Sequence, residues 1–175
     1  MLQKREHVKT VDTLRVVGLD PGLANLGLGA VLQSYRDVTY IDSKLVRTDS
    51  KMAQEKRLKL IYTETKAFIQ AARPNALAIE GQYFHRQREV AFKVGQAVGV
   101  CLLAASELNV PIFEYGPMQV KQSLVGSGRA SKAQVTYMVR AMLNLKKSPE
   151  SHHVADALAL ALTHLSSHKL KMLSF

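Results

Sequence analysis

The chain has 175 residues, 47% of them apolar and 22% charged, an ordinary globular mix at a length that predicts one domain and disfavours disorder, collagen-like repetition and a membrane protein. With 24 Lys and Arg against 14 Asp and Glu the net charge is +10, the balance of a protein that meets a polyanion, which points weakly to nucleic acid. A single cysteine, Cys101 in the apolar run VGVCLLAAS, excludes an intramolecular disulfide and suits a packing role in a reducing compartment, with the cytoplasm as the simplest location.

Residues 1–13 mix charged and polar types and are read as a flexible leader with no apolar segment of the secretory kind. The domain is expected to span 14–168, with a short tail over 169–175. LRVVGLD, Leu14 to Asp20, is a short β-branched run stopped by Pro21-Gly22, the pattern of a buried strand entering a turn. Leu26 to Gln33 and Val38 to Val46, separated by the polar Ser34 to Asp37, predict two further strands in an antiparallel meander. Between Met52 and Ala72 the apolar spacing of Leu58, Ile61, Tyr62, Thr65, Phe68, Ile69 and Ala72 predicts a helix that Pro74 ends. Ala76 to Glu80 is a fourth strand, and Gln87 to Leu108 a long helix whose Gly95 and Gly99 would let another backbone approach, either the sheet or a dimer mate.

Pro111 to Tyr115 predicts the last strand, followed by a short helical or turn segment containing Lys121. After the loop Gly126 to Arg129, Ser131 and Gln134 make a capping box for a helix with Val135, Met138, Val139 and Met142 inward. Ser148-Pro149 is read as the N-cap and first residue of a final helix with Val154, Leu158, Ala161, Leu162 and Leu165 as its buried stripe. The longest apolar run, Ala157 to Leu162, is far too short to cross a membrane. This order predicts an α/β, ribonuclease-H-like mixed five-stranded sheet with helices on both faces.

Asp20 and Glu80 each close an apolar strand, at the edge where an α/β sheet presents side chains to its crevice. A bare carboxylate in such surroundings costs several kcal/mol unless paired, so these positions imply a ligand, a cation or access to water. Asp156 lies in the first turns of the last helix, off its apolar stripe, with His153 on the same side. If the four converge, three carboxylates and a bound phosphodiester balance two divalent cations beside a neutral imidazole. Oxygen ligands select Mg²⁺, one imidazole makes Mn²⁺ competitive, and two such ions suit in-line hydrolysis at phosphorus. Taken singly, each residue also has a plainer role: Asp20 as a turn former before Pro21, and His153 with Asp156 as a solvated face or cap.

VVGLDPGLANLG, LAIEGQYF, VGQAVGV, EYGPMQVKQSLVGSGRASKAQV and HHVADALALALTH, in this order over about residues 14–166, together resemble the RuvC family of Holliday-junction resolvases. The resemblance implies a homodimeric, metal-dependent crossover junction endodeoxyribonuclease of recombination and repair. Such an enzyme cuts two like-polarity strands of a four-way DNA junction and works with the RuvA and RuvB branch-migration proteins. It implies Asp20, Glu80 and Asp156 as metal ligands and catalytic residues, with His153 at a fourth place that carries Asp in many members and His in others. His152 is the neighbour that could confuse this assignment.

Lys121 and Lys132 match basic residues of the family's DNA-contacting loops, where phosphate positioning is the physical role, and Tyr83 matches an aromatic that approaches bases at the junction centre. Phe84 could take that place instead, and Arg86, Arg88, Lys93 and Arg129 are read as further DNA contacts. Two other readings stand beside this one. The strand order and the acidic turn at Asp20 also suit an actin-like ATPase, for which one lobe is too short, and the charge and fold suit a non-catalytic junction or RNA binder, against which the intact acids speak.

Overall fold

The computed structural model describes residues 13–81 and 88–173. Its elements run β1 (Thr13–Asp20), β2 (Asn25–Ser34), β3 (Asp37–Arg47), α1 (Gln54–Ala72), β4 (Ala76–Glu80), α2 (Arg88–Glu107), β5 (Ile112–Tyr115), α3 (Pro117–Val125), α4 (Lys132–Met142) and α5 (His152–Leu173). The strands form one sheet in the order β3-β2-β1-β4-β5. β2 is antiparallel to β1 and β3, whereas β4 and β5 continue parallel to β1. This is the mixed sheet that the element order predicts.

Helices cover both faces, which is why β1 reads as an unbroken apolar run and not as an alternation. Val16 and Ala78 face a core shared with α3, α4 and α5, while Val17, Leu19, Leu77 and Ile79 face a second core shared with α1 and α2. Cys101 belongs to the second core, fully buried and 3.6 Å from the Thr65 hydroxyl, and burial pushes its thiol up to about 11, so it packs and does not react at neutral pH.

Four details differ from the expectations. α5 begins at His152, not at Ser148-Pro149: the Ser151 hydroxyl accepts from the Val154 N–H at 3.2 Å and supplies the cap, leaving 148–150 to carry the chain across from α4. Every residue from Val154 to Leu165 except Asp156 is buried, because α5 lies between the sheet and α3 with α4, so it carries no single stripe. Met142 ends α4 at 38% exposure, and Leu143 takes the inward place just beyond it. Finally, Gly95 and Gly99 are not where α2 meets the sheet: no described residue lies within 4 Å of a side chain at either, and Ala97, Cys101 and Ala105 make the inward contact. The Ser131–Gln134 capping box is present in full, and α5 continues to Leu173.

Candidate active site

Asp20 and Glu80 end β1 and β4, which are parallel neighbours, so both carboxylates leave the sheet at the same edge. The other two candidate ligands arrive on α5, and glycine decides how closely. A Cβ on Gly18 would stand 1.8 Å from the Ala157 carbonyl oxygen, and one on Gly27 only 2.1 Å from that of His153. Gly18 and Gly29 are register partners in β1 and β2, which gives the start of α5 a shallow groove to lie in. Contact at this distance seats His153 and Asp156 over the end of β1.

The His153 Nδ1 lies 2.7 Å from the Asp20 Oδ2, a pairing across 133 residues of sequence. The Lys132 Nζ stands 3.8 Å from the Asp156 Oδ2. Around these groups is a cleft of about 310 Å³, onto which Glu80, Lys121 and His152 also open. Its floor is apolar, made by Val120, Val135 and Leu160. The His152 ring lies against that of His153, with centroids 4.1 Å apart.

Burial is the main force on the acids. It raises the Asp20 carboxyl above the usual range, the Asp156 charge raises it further, and the His153 hydrogen bond and Lys132 oppose the rise without cancelling it. Glu80 is raised by burial, then by Asp20 and Asp156, with Lys132 alone opposing. Among the described residues Glu80 has no hydrogen-bond donor. Ionised together, these groups leave uncompensated negative charge in a partly dry cleft, which is the condition a divalent cation relieves.

The donor set therefore fits a hard cation: carboxylate oxygens with one imidazole nitrogen. As the side chains stand, no group of three or more His, Cys, Asp or Glu among the described residues is gathered closely enough to hold an ion. The four converge on one cleft without meeting at one point.

The structure thus brings together Asp20, Glu80, His153, Asp156, Lys121 and Lys132. Arg129 is exposed and lines a neighbouring hollow instead. Lys93 is exposed on α2 and is not among the residues lining the cleft. Tyr83, Phe84 and Arg86, and the side chain of Arg88, lie outside the described residues. Sequence reasoning named His152 only as a possible confusion, whereas it shares the cleft wall. It also missed Gly18 and Gly27 as the parts that seat α5, although glycines inside apolar strands opposite an alanine-rich helix are the available signal.

The family model for crossover junction endodeoxyribonuclease RuvC matches residues 16–164. The Thermus thermophilus RuvC crossover junction endodeoxyribonuclease is 44% identical over 152 residues, covering 85% of this chain and 92% of that protein. That of Ruminiclostridium cellulolyticum is 43% identical over 155 residues, covering 89% and 93%. Among solved structures, T. thermophilus RuvC in complex with a Holliday junction substrate superposes with a TM-score of 0.86 at 42% identity, over 90% of this chain and 96% of that one. The yeast mitochondrial Holliday junction resolvase Ydc2, at 12% identity and a TM-score of 0.64 over 90% and 82% of the two chains, shares the fold.

Proposed function

The chain belongs to the RuvC family of crossover junction endodeoxyribonucleases, and from that premise we propose that it resolves four-way DNA junctions by paired symmetric nicks through two-metal phosphodiester hydrolysis. The observation that carries this reading is the convergence of Asp20, Glu80, His153 and Asp156 on one cleft with Lys121 and Lys132 on its walls.

Asp20, Glu80, His153 and Asp156 are the residues that would hold the cations, Mg²⁺ or Mn²⁺, two per site. The chemistry such ions would supply at these residues is a water made nucleophilic at neutral pH and neutralisation of the leaving oxygen of an in-line displacement. The chain's own contribution is placement. Asp20 holds the His153 ring through Nδ1 and so fixes which nitrogen remains available as a donor. The apolar floor limits water around the acids, and Lys121 and Lys132 draw the phosphodiester to the cleft and fix its register. Tyr83, Phe84, Arg86, Arg88 and Lys93 extend the DNA contact beyond Glu80.

Paired nicks need two sites, and α2 supports a homodimer. Phe92 and Leu103 are 66% and 52% exposed, and they flank Gly95 and Gly99, which no described residue approaches within 4 Å. Spacings of three, four and four residues put all four on one face, an apolar seam with room for a second helix. The reading also takes RuvA and RuvB as partners. It also places the work in the cytoplasm, and no helix among the described residues is long and apolar enough to cross a membrane.

The test is an end-labelled cleavage assay on a four-way junction and the matching linear duplex, in Mg²⁺ and in Mn²⁺, with Asp156→Asn alongside. Symmetric nicks in the junction alone, lowered about 10³-fold or more in the variant while binding persists, are expected, since the ligand's loss removes several kcal/mol of transition-state stabilisation. Tight binding without cuts would make the protein a non-catalytic junction binder, and equal cutting of duplex a general nuclease.

A further inference from the structure

Beside the cleft lies a second, larger hollow of about 1140 Å³, between α3 and the loop that follows it. Pro117 lines both, so the two adjoin at that residue. The hollow is built, not left over from loose packing. Gly126 caps α3 at φ 78°, and Gln122 ties the loop down twice, donating from Nε2 to the Gly126 carbonyl at 3.0 Å and accepting from the Gly128 N–H at 3.1 Å. A Cβ on Gly128 would stand 2.6 Å from the Met118 Cγ, so a bare backbone at 128 leaves Met118 its place against the loop.

What this frame presents is unusual for a surface. Met118 is 72% exposed, a large apolar side chain with one face to the hollow. Gln119 and Arg129 are exposed at the same hollow, and within the described residues neither the Gln119 amide nor the Arg129 guanidinium has a protein partner. Gln122 is thus spent on holding the loop, while Gln119 and Arg129 are free to meet something else. An apolar surface, a free amide and a free cation are the three parts by which proteins take a single nucleotide: contact with the base face, hydrogen bonds to the base edge, and a charge on the phosphate.

Resting on the junction-nuclease reading, we infer that this hollow is a nucleotide subsite. It takes one unpaired nucleotide of the strand whose phosphodiester lies in the neighbouring cleft, with Met118 against the base, Gln119 on its edge and Arg129 on its phosphate. Adjacency argues for the occupant, because a strand held in the cleft lies beside this hollow across the shared Pro117. Charge agrees, since among the described residues lining the hollow the charged side chain is the Arg129 cation, on a chain of net charge +10. The consequence is that Gln119 sets which sequences are cut, by favouring one base next to the scissile phosphate.

A pool of four-way junctions randomised at the positions flanking the crossover tests this, with cleaved and bound molecules sequenced separately. Wild type is compared with Gln119→Ala, Met118→Ala and Arg129→Ala, and with Lys59→Ala on the remote α1 as a control. Gln119→Ala is expected to flatten the preference at one position about tenfold, the size of one good amide-to-base contact, in both the cleaved and the bound pools. Met118→Ala should weaken the same position, and Arg129→Ala should lower affinity evenly across sequences and reduce the salt slope by about one. Junctions still cut with an unaltered base preference in Gln119→Ala and Met118→Ala would overturn the subsite and keep the nuclease. Junctions bound with a Gln119-dependent preference but never cut would overturn the nuclease reading and keep the subsite. Junctions neither bound nor cut would overturn both.

Discussion

Two helices, α5 and α2, lie on opposite faces of one sheet, and each meets glycine in opposite circumstances. Under α5, Gly18 and Gly27 stand so close to helix backbone that no side chain fits, and the contact places His153 and Asp156 beside Asp20. On α2, Gly95 and Gly99 lie between two exposed apolar side chains with no described residue within 4 Å. The first pair shapes the candidate cleft by closing a gap inside the fold, and the second leaves a gap that no described residue fills. A glycine permits close approach of a backbone, and the surrounding structure shows whether anything makes it.

The largest effect should come from closing the first gap. Gly18→Ala puts a methyl group 1.8 Å from the Ala157 carbonyl, a clash with backbone that no rotamer relieves. Overpacking of a core costs about 1–3 kcal/mol, and a contact this short belongs at or above the top of that range. Thermal unfolding and junction cleavage should fall together in Gly18→Ala, because moving α5 away separates His153 and Asp156 from Asp20. Full cleavage at wild-type stability would mean that α5 does not seat the site.

Much of this side of the molecule was legible in the sequence. Strand and helix order, the capping box at Ser131 and the four candidate ligands follow from local pattern, because strand ends, caps and apolar periods are properties of a few adjacent residues. The start of α5 was not, since Ser148-Pro149 and Ser151 are both plausible caps and only the route from α4 chooses between them. Nor was its all-round burial, because an alanine-rich helix keeps its period while losing its polar face. Likewise Gly95 and Gly99 read alike for packing on the sheet and on a partner, and the inward turn of Ala97, Cys101 and Ala105 settles which way they point. The hollow at Met118 depends on hydrogen bonds from Gln122 that no spacing rule anticipates.

A smaller effect should appear in the acids themselves. Burial and mutual repulsion raise Asp20 and Glu80 in the folded protein, so between the ordinary carboxylate range and their raised values the folded state holds more protons than the unfolded one. Stability without metal must then fall through these two groups as pH rises across that window, which is opposite in sign to an ordinary salt-bridged acid. Melting temperature followed in a chelator from acid to neutral pH should decline more steeply, or rise less, in wild type than in Asp20→Asn, and Mg²⁺ or Mn²⁺ should restore wild type alone. Comparing the two proteins removes the contribution of the net positive charge they share at low pH. Parallel curves would mean that the Asp20 carboxylate costs the fold nothing.

The smallest effect lies on α2, and there the sign divides the two regions most sharply. Alanine replaces glycine in a helix interior with a gain of about 0.5–1 kcal/mol where space allows, and at Gly95 no described residue within 4 Å forbids it. Gly95→Ala should therefore raise the stability of the isolated chain by that amount in dilute solution, the reverse of Gly18→Ala. If Phe92, Gly95, Gly99 and Leu103 form a seam between two copies, the same methyl group should hold the paired helices apart. Sedimentation at rising concentration should then show a weaker dimer for Gly95→Ala and a monomer for Leu103→Lys, each with wild-type secondary structure. A dimer of unchanged strength in both variants would move the interface off this face of α2 and leave the glycines there without a role.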